Sequence, residues 1–299
     1  MSASRPIEFL PGVAALAERY DGFVLDLWGV VHDGITAYPG AADTLGRLQR
    51  AGKRAVLLSN APRRAAEVVL AMERMGIPRD LYAAIVSSGE AAHAALAART
   101  MTAATDPWLA ALGRRCYLMG PRRDHGMLDG IAVERTAEIA EADFILATGV
   151  DWDDDRLDIY LPALEAGAAR GLKMVCANPD LVVIRGGRRV ICAGLLAQRY
   201  EALGGAVRYY GKPHAPIYGE CLERLGIAER ARVVAIGDSL RTDIAGASAA
   251  GIASVLVPGG IHGEELGIHH GEMPDASALE ALCARAGYRP DAAIPAFLW

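Results

Sequence analysis

The chain has 299 residues, 52% hydrophobic and 22% charged, which is ample for a buried core and excludes disorder as its main state. Its 31 lysines and arginines against 36 aspartates and glutamates leave a net charge of −5, and only 6% of residues are aromatic. No basic block and few stacking rings argue against a nucleic-acid or anionic-membrane binder. Five cysteines, an odd number with no C-x-x-C pair, read as reduced buried thiols of a cytoplasmic protein. Met1 to Ala17 has no signal-peptide pattern, and no stretch reaches the roughly 18 charge-free apolar residues of a membrane span. The mean hydropathy of +0.19 comes from alanines spread through amphipathic segments.

In chain order, Gly22 to Trp28 is a short buried strand ending in Gly29, and Ala41 to Ala51 a helix closed by Gly52. Arg54 to Ser59 is a second strand. Pro62 suits the first turn of the next helix, where its missing N–H costs nothing; that helix places Val68, Val69, Met72 and Met75 on one face and stops at Gly76. Ala84 to Ser87 is a third strand, and Glu90 to Arg99 a helix. The middle is less regular, with strands at 116–119, 144–147 and 174–177, a helix at about 156–170, and loops at 103–107, 122–124 and 151–155. The strand–helix–strand rhythm then returns: strand 233–236, helix 243–250 closed by Gly251, strand 253–257. Strands apolar on both faces indicate a parallel sheet covered by helices, here with a middle block inserted.

Candidate chemistry lies at strand ends, where open α/β sheets bind ligands. Asp26 sits inside an apolar strand, costly unless paired or metal-bound; alone it could equally cap the turn. Ser59-Asn60, before a helix, is either an anion site or an ordinary cap. Lys212 lies between Gly211 and Pro213, in isolation a surface turn. Asp238 and Asp243, five apart across a strand-to-helix turn, can converge on one hard cation, the most specific of these signals.

Taken in order, these motifs resemble the haloacid dehalogenase-like hydrolase superfamily. Asp26-Leu27-Trp28-Gly29-Val30-Val31-His32-Asp33-Gly34, Pro39-Gly40-Ala41, Leu57-Leu58-Ser59-Asn60, Ala177-Asn178-Pro179-Asp180 and Gly211-Lys212-Pro213 look like its class IIA subgroup of small-metabolite phosphatases. The resemblance implies an α/β fold: a Rossmann-like, doubly wound parallel-sheet core (1–87 and 191–299) with an inserted C2-type α/β cap (88–190). It implies a Mg²⁺-dependent phosphohydrolase of a small phosphorylated metabolite, such as a sugar phosphate or nucleotide. Asp26 would be the nucleophile forming an aspartyl-phosphate, Ser59 with the Asn60 N–H the phosphoryl binder, and Lys212 the neutralising cation. Asp26, the Trp28 carbonyl, Asp238 and Asp243 would be metal ligands, Asp243 directly or through water or Lys212. Asn178 and Asp180 would orient substrate or form a hinge or turn. Arg63 and Arg64, just after Ser59-Asn60, either meet a second anionic group of the substrate or form a solvated helix start. Family members often pair as homodimers through the cap.

One departure stands out. Family phosphatases usually carry a second Asp two residues after the nucleophile, which protonates the leaving oxygen. Here that position is Trp28, and a strand period of two would put it on the same side as Asp26. Three consequences compete: a slow enzyme preferring good leaving groups, a substitute acid (His32 or Asp33 are nearest in sequence), or a phosphometabolite-binding protein without turnover. The acidic stretch Asp151 to Asp155 lacks the glycine of a calcium loop and reads as solvated, and His269-His270 as surface.

Overall fold

In the computed structural model, which describes residues 6–101, 105–151 and 156–299, four strands come first: β1 (Glu8–Phe9), β2 (Gly22–Asp26), β3 (Arg54–Ser59) and β4 (Ala84–Ser87). Seven follow in the middle: β5 (Arg115–Met119), β6 (Glu134–Thr136), β7 (Phe144–Ala147), β8 (Lys173–Cys176), β9 (Val182–Arg185), β10 (Arg188–Ile191) and β11 (Ala206–Tyr209). The last three are β12 (Val233–Gly237), β13 (Ala253–Leu256) and β14 (Ala292–Ala293).

β2 is buried along its whole length because alternate residues enter two different cores. Phe23 and Leu25 join Leu57, Val234, Ile236 and the helix residues Leu45, Leu48 and Met72 on one face. Val24 joins Val56, Leu58, Val233, Ala235 and the helix residues Ile217, Tyr218 and Cys221 on the other. A strand covered on both faces belongs in a parallel sheet, and the sheet runs β1-β14-β13-β12-β2-β3-β4 with every neighbour parallel. From β2 the chain winds outward to β3 and β4; from β12 it winds the other way to β13 and β14. Between β2 and β12 the winding reverses, which leaves a crevice at the strands' carboxyl ends. Asp26 closes β2 there, and Asp238 follows β12 directly.

The middle strands form a second parallel sheet in the order β11-β8-β7-β5-β6, while β9 and β10 make a separate antiparallel hairpin turned on Gly186 and Gly187, both at positive φ. The second sheet is inserted between β4 and β12. It does not stop at residue 190. β11 pairs with β8, and the helix Ala193–Ala202 buries Leu196, Ala197 and Tyr200 against Ile145 and Met174, so 191–209 belongs with this sheet and not with the core, as the sequence division had it. The physical reason is that β11 is an edge strand, only partly buried, and carries no apolar run to reveal it. On the other side, Ser88–Ala98 packs Ala92 and Leu96 against Cys116, Phe144 and Leu146.

Other local expectations shift for identifiable reasons. The helix after β3 begins at Ala65, not at Pro62. The Ser87 hydroxyl donates to the Arg63 carbonyl and the Gly89 N–H to the Ala61 carbonyl, with Ser88 Oγ 3.1 Å from that carbonyl and its proton on the Ala177 carbonyl at 2.6 Å, which holds this segment in an irregular turn. Residues 122–124 open a 3₁₀ helix, Arg122–Leu128. The helix expected at 156–170 splits into a 3₁₀ turn and Leu161–Ala169, and that at 243–250 starts as a π-helical turn, Leu240–Ile244. Residues 103, 104 and 152–155 of the two expected loops lie outside the described residues. All five cysteines are buried and unpaired with one another. Among the described residues no helix is long and apolar enough to cross a membrane.

Leu57 is fully buried in the central sheet. Leu57→Ala should lower the unfolding free energy by about 2–5 kcal/mol, read from denaturant midpoints at constant slope; a loss below 1 kcal/mol would contradict this packing.

Candidate active site

Lys212 is the hub of the crevice. Its side chain is buried, and Nζ donates to Asp26 Oδ1 at 2.5 Å and to Asp243 Oδ1 at 2.7 Å. The backbone of Lys212 is itself clamped by Asn60: Lys212 N–H donates to Asn60 Oδ1 at 2.7 Å, and Asn60 Nδ2 donates to the Lys212 carbonyl at 3.2 Å and to Asp180 Oδ1 at 2.9 Å. Gly211 is at φ +121, and a Cβ there would lie 2.5 Å from Asn60 Oδ1, so the clamp needs glycine. Lys212 is therefore not the surface turn that its sequence neighbours suggest in isolation.

Asp26, Asp238 and Asp243 are all buried and offer oxygens within 4.8 Å of one another. Three carboxylates against one ammonium leave an excess of negative charge in a site largely closed to water. Burial pushes Asp26 up to about 8, Asp243 adding to the shift and Lys212 opposing it. Asp238 is pushed well above the carboxylate range by burial, then by Asp26 and Asp243. Lys212 moves upward: burial alone would lower it, but Asp243, Asp26 and Asp180 outweigh that. Hard oxygen donors with uncompensated charge fit a divalent cation. The oxygens are also sorted for it. Asp243 is held by Lys212 and by the Ser239 N–H at 3.1 Å, and Asp238 Oδ2 by the Ile261 N–H at 2.7 Å, while Asp26 Oδ2 and Asp238 Oδ1 carry no hydrogen bond among the described residues. Glycines make the room: a Cβ on Gly29 or Gly260 would meet Asp238 Oδ2 at 2.0 or 2.2 Å, and one on Gly237 would meet Asp243 Cγ at 2.1 Å.

Above the cluster lies a cavity of about 250 Å³ lined by Asp26, Trp28, Asn60, Lys212, Asp238 and Arg241 among others. Ser59 is buried at its edge, where its hydroxyl accepts from the Ala61 N–H at 3.1 Å; it is not one of the lining residues. Asn178 Oδ1 accepts from the Asp180 N–H at 3.0 Å, which shapes the turn that presents Asp180 to Asn60. Sequence reasoning missed Arg241, whose guanidinium donates to the Pro179 carbonyl at 2.6 Å and ties the Asp238 loop to that turn. It also missed Tyr38, a lining residue whose ring stacks on His270 at 3.6 Å; His270 is thus half-buried, unlike exposed His269. Arg241 lies within the Asp238–Asp243 turn, where only the carboxylates were singled out, and Tyr38 lies just before Pro39-Gly40-Ala41; no local pattern marks either as a lining residue.

Strand β2 ends at Asp26, so the two-residue period does not extend to Trp28. Trp28 nevertheless faces the same cavity, from the loop after the strand. Neither expected substitute acid is placed to serve. His32 is buried, its Nδ1 accepts from the Gly34 N–H at 2.9 Å, and burial lowers its pKa to about 4. Asp33 Oδ1 accepts from the Ile35 and Thr36 N–H groups at 2.8 and 2.7 Å; burial raises it, but these bonds outweigh that and lower it overall. Arg63 lines a second cavity beyond Trp28.

The central sheet and its switch-point crevice define a doubly wound α/β protein with a buried aspartate–lysine cluster at its ligand-binding end. A family model described as haloacid dehalogenase-like hydrolase matches residues 23–134, and one described as HAD-hydrolase-like matches 209–284. A haloacid dehalogenase-like hydrolase from Brucella suis has a TM-score of 0.79 and 32% identity, covering 97% of this chain and 100% of that one. The D-glycerol 3-phosphate phosphatase of Mycobacterium tuberculosis is 27% identical over 83% of this chain, which spans 65% of that relative's length. A glycerol phosphate phosphatase of the same organism, solved with magnesium, has a TM-score of 0.57 and 24% identity over 82% of this chain and 70% of that one. The chain belongs to the haloacid dehalogenase-like hydrolases, class IIA branch, and is a phosphoric monoester hydrolase.

Two measurements check this site. Mg²⁺ at a hundred times its dissociation constant should stabilise the protein by about 2.7 kcal/mol; Asp238→Asn should raise the melting temperature of metal-free protein and remove that gain, and an unchanged gain would refute the carboxylate cluster as the cation site. For His32, a folded pKa near 4 against 6.5 unfolded means no penalty above pH 6.5 and a loss of about 3 kcal/mol as pH falls toward 4. NMR titration should show its ring neutral at pH 6.

Proposed function

We propose that this chain is a Mg²⁺-dependent phosphohydrolase of small phosphorylated metabolites, working through an aspartyl-phosphate on Asp26. The observation that carries the reading is the buried Asp26 carboxylate bonded to Lys212 beside Asp238 and Asp243, at the floor of the larger cavity. Asp26, Asp238, Asp243 and the Trp28 carbonyl would hold the ion, which supplies positive charge to the transferring phosphoryl group. Lys212 fixes the attacking carboxylate and offsets charge on the phosphoryl oxygens. Ser59 and the Asn60 N–H would bind those oxygens, Ser59 after its hydroxyl turns from Ala61.

Attack by an Asp26 oxygen on phosphorus forms the acyl phosphate, and the ester oxygen leaves with the bonding pair and takes a proton from solvent. Water, giving up a proton to solvent, then opens the acyl phosphate, returning the Asp26 carboxylate and releasing phosphate. Trp28 has no proton to give the leaving oxygen, so esters of acidic alcohols react fastest. The inserted unit, read here as extending from residue 88 to Tyr209, is the cap: it covers the crevice and carries substrate selection, with Asn178 and Asp180 at its hinge. A sugar phosphate or nucleotide fits the reading; nucleic acid does not, given the net charge of −5. Two copies would pair through the cap.

Turnover of 4-nitrophenyl phosphate should require Mg²⁺, stop with EDTA and fall by at least about a thousandfold in Asp26→Asn. Absence of such turnover across a panel of phosphate esters would leave a phosphometabolite-binding protein instead. Trp28→Asp should speed hydrolysis of alkyl phosphates by about 10²–10⁴-fold, with a much smaller effect on nitrophenyl phosphate; equal effects on both would mean that proton transfer is not what Trp28 forgoes.

A further inference from the structure

The chain enters the inserted unit at residues 87–90, and there it is bonded to the loop that follows β3. The Ser87 hydroxyl donates to the Arg63 carbonyl at 2.7 Å and accepts from the Glu90 N–H at 3.1 Å. The Gly89 N–H donates to the Ala61 carbonyl at 3.1 Å. A Cβ on Gly89 would lie 2.2 Å from the Arg63 nitrogen, so the two backbones pack directly together. Glu90 completes the contact. Its carboxylate accepts from Arg64 Nε and Nη2 at 2.8 and 3.0 Å and from the Ala65 N–H at 2.9 Å. The helix Ala65–Arg74 has no cap from its own N-cap side chain, and Glu90 supplies one from the inserted unit. Arg64 is thereby committed to Glu90. At the other end of the same loop stand Ser59 and Asn60, and Asn60 clamps the Lys212 backbone.

We propose that Glu90 is a positioning residue for phosphate binding: it fixes Arg64 and Ala65, and through them the course of the 59–64 loop whose Ser59 hydroxyl and Asn60 N–H bind the phosphoryl oxygens. The inference rests on the phosphatase reading, in which those two groups hold phosphate. The loop has little support of its own. Ser59 Oγ accepts from the Ala61 N–H, and no side chain of residues 60–64 bonds back to the loop among the described residues. A bidentate pair with an added N–H bond sets direction as well as distance. Misplacing a binding group by about 1 Å can cost about a hundredfold in function. The same contacts add little to folding, because the Glu90 and Arg64 side chains are each 34% exposed and ion pairs that reach solvent are weak. Arg64 holds the Glu90 carboxyl below its usual range, against burial and with help from the Ala65 N–H. Loss of Glu90 is therefore read in phosphate affinity before it is read in stability.

The test uses the full chain with Mg²⁺, 4-nitrophenyl phosphate as substrate and inorganic phosphate as competitive inhibitor. Glu90→Ala should raise KM and the phosphate inhibition constant together by about tenfold or more, while kcat falls less than about threefold, the pattern of a binding contact made equally in ground and transition states. Glu90→Gln keeps an oxygen for the Ala65 N–H and should recover part of that loss. The Mg²⁺ dissociation constant should stay unchanged, because the carboxylates that would hold the ion follow β2 and β12. A Glu90→Ala protein with a lower melting temperature but unchanged KM and phosphate constant would overturn the proposal, and so would a parallel loss of Mg²⁺ affinity. If Glu90→Ala does not fold, Glu90→Gln decides: a rise of at least about threefold in the phosphate constant supports the role, and no rise overturns it. If nitrophenyl phosphate is not turned over, calorimetric dissociation constants for phosphate carry the same comparison. Wild-type protein that binds no phosphate fails the phosphatase reading and this inference with it; wild-type binding with an unchanged constant in Glu90→Ala overturns this inference alone.

Discussion

One ammonium, on Lys212, holds together carboxylates from two distant parts of the chain. Asp26 ends a strand near the N-terminus and Asp243 lies in the turn after β12, yet both oxygens bond the same nitrogen. Burying such groups costs free energy unless they pair, so the backbone around them is constrained in turn. Asn60 clamps the Lys212 peptide, Gly211 leaves space for Asn60, and Gly29, Gly237 and Gly260 leave space for the aspartates. The winding reversal between β2 and β12 puts all of this at one crevice. One ammonium does not balance three carboxylates, and that charge and donor set fit a divalent cation.

Trp28 divides the space above that cluster. It faces the cavity over Asp26 and also walls the smaller cavity beyond. It carries no titratable group and presents a large apolar surface, so under the proposed mechanism the leaving oxygen would find no proton donor there. The nearby polar side chains do not make up the loss. His32 is buried and neutral and Asp33 is absorbed in its own turn. The buried polar groups beyond Trp28, Asp124 and Thr148, come from the inserted unit.

Much of the core was legible in sequence. The strands at 54–59, 84–87 and 144–147 agree with observation because continuous apolar runs of that length are buried on both faces, and their period needs no tertiary information. The motif residues Asp26, Asn60, Lys212, Asp238 and Asp243 do converge. The end of the inserted unit was not legible: β11 is a partly exposed edge strand without an apolar run, so the chain looked like core from residue 191 onward. The start of the helix after β3 was misplaced because the Ser87 hydroxyl and the Gly89 N–H hold Arg63 and Ala61 from another strand end.

The sequence by itself determined the buried strands and main helices, the family, and the residue types at the cluster, because periodicity and short motifs are local. Only the tertiary structure decided which side chains are buried, which oxygens are already bonded, and what stands opposite Trp28. His32 and Asp124 show the reason. Each reads as an ordinary loop residue, yet both are buried, His32 with its Nδ1 taken by the Gly34 N–H and Asp124 beside Thr148. Burial and hydrogen-bond satisfaction depend on residues far apart in the chain, and no local pattern records them.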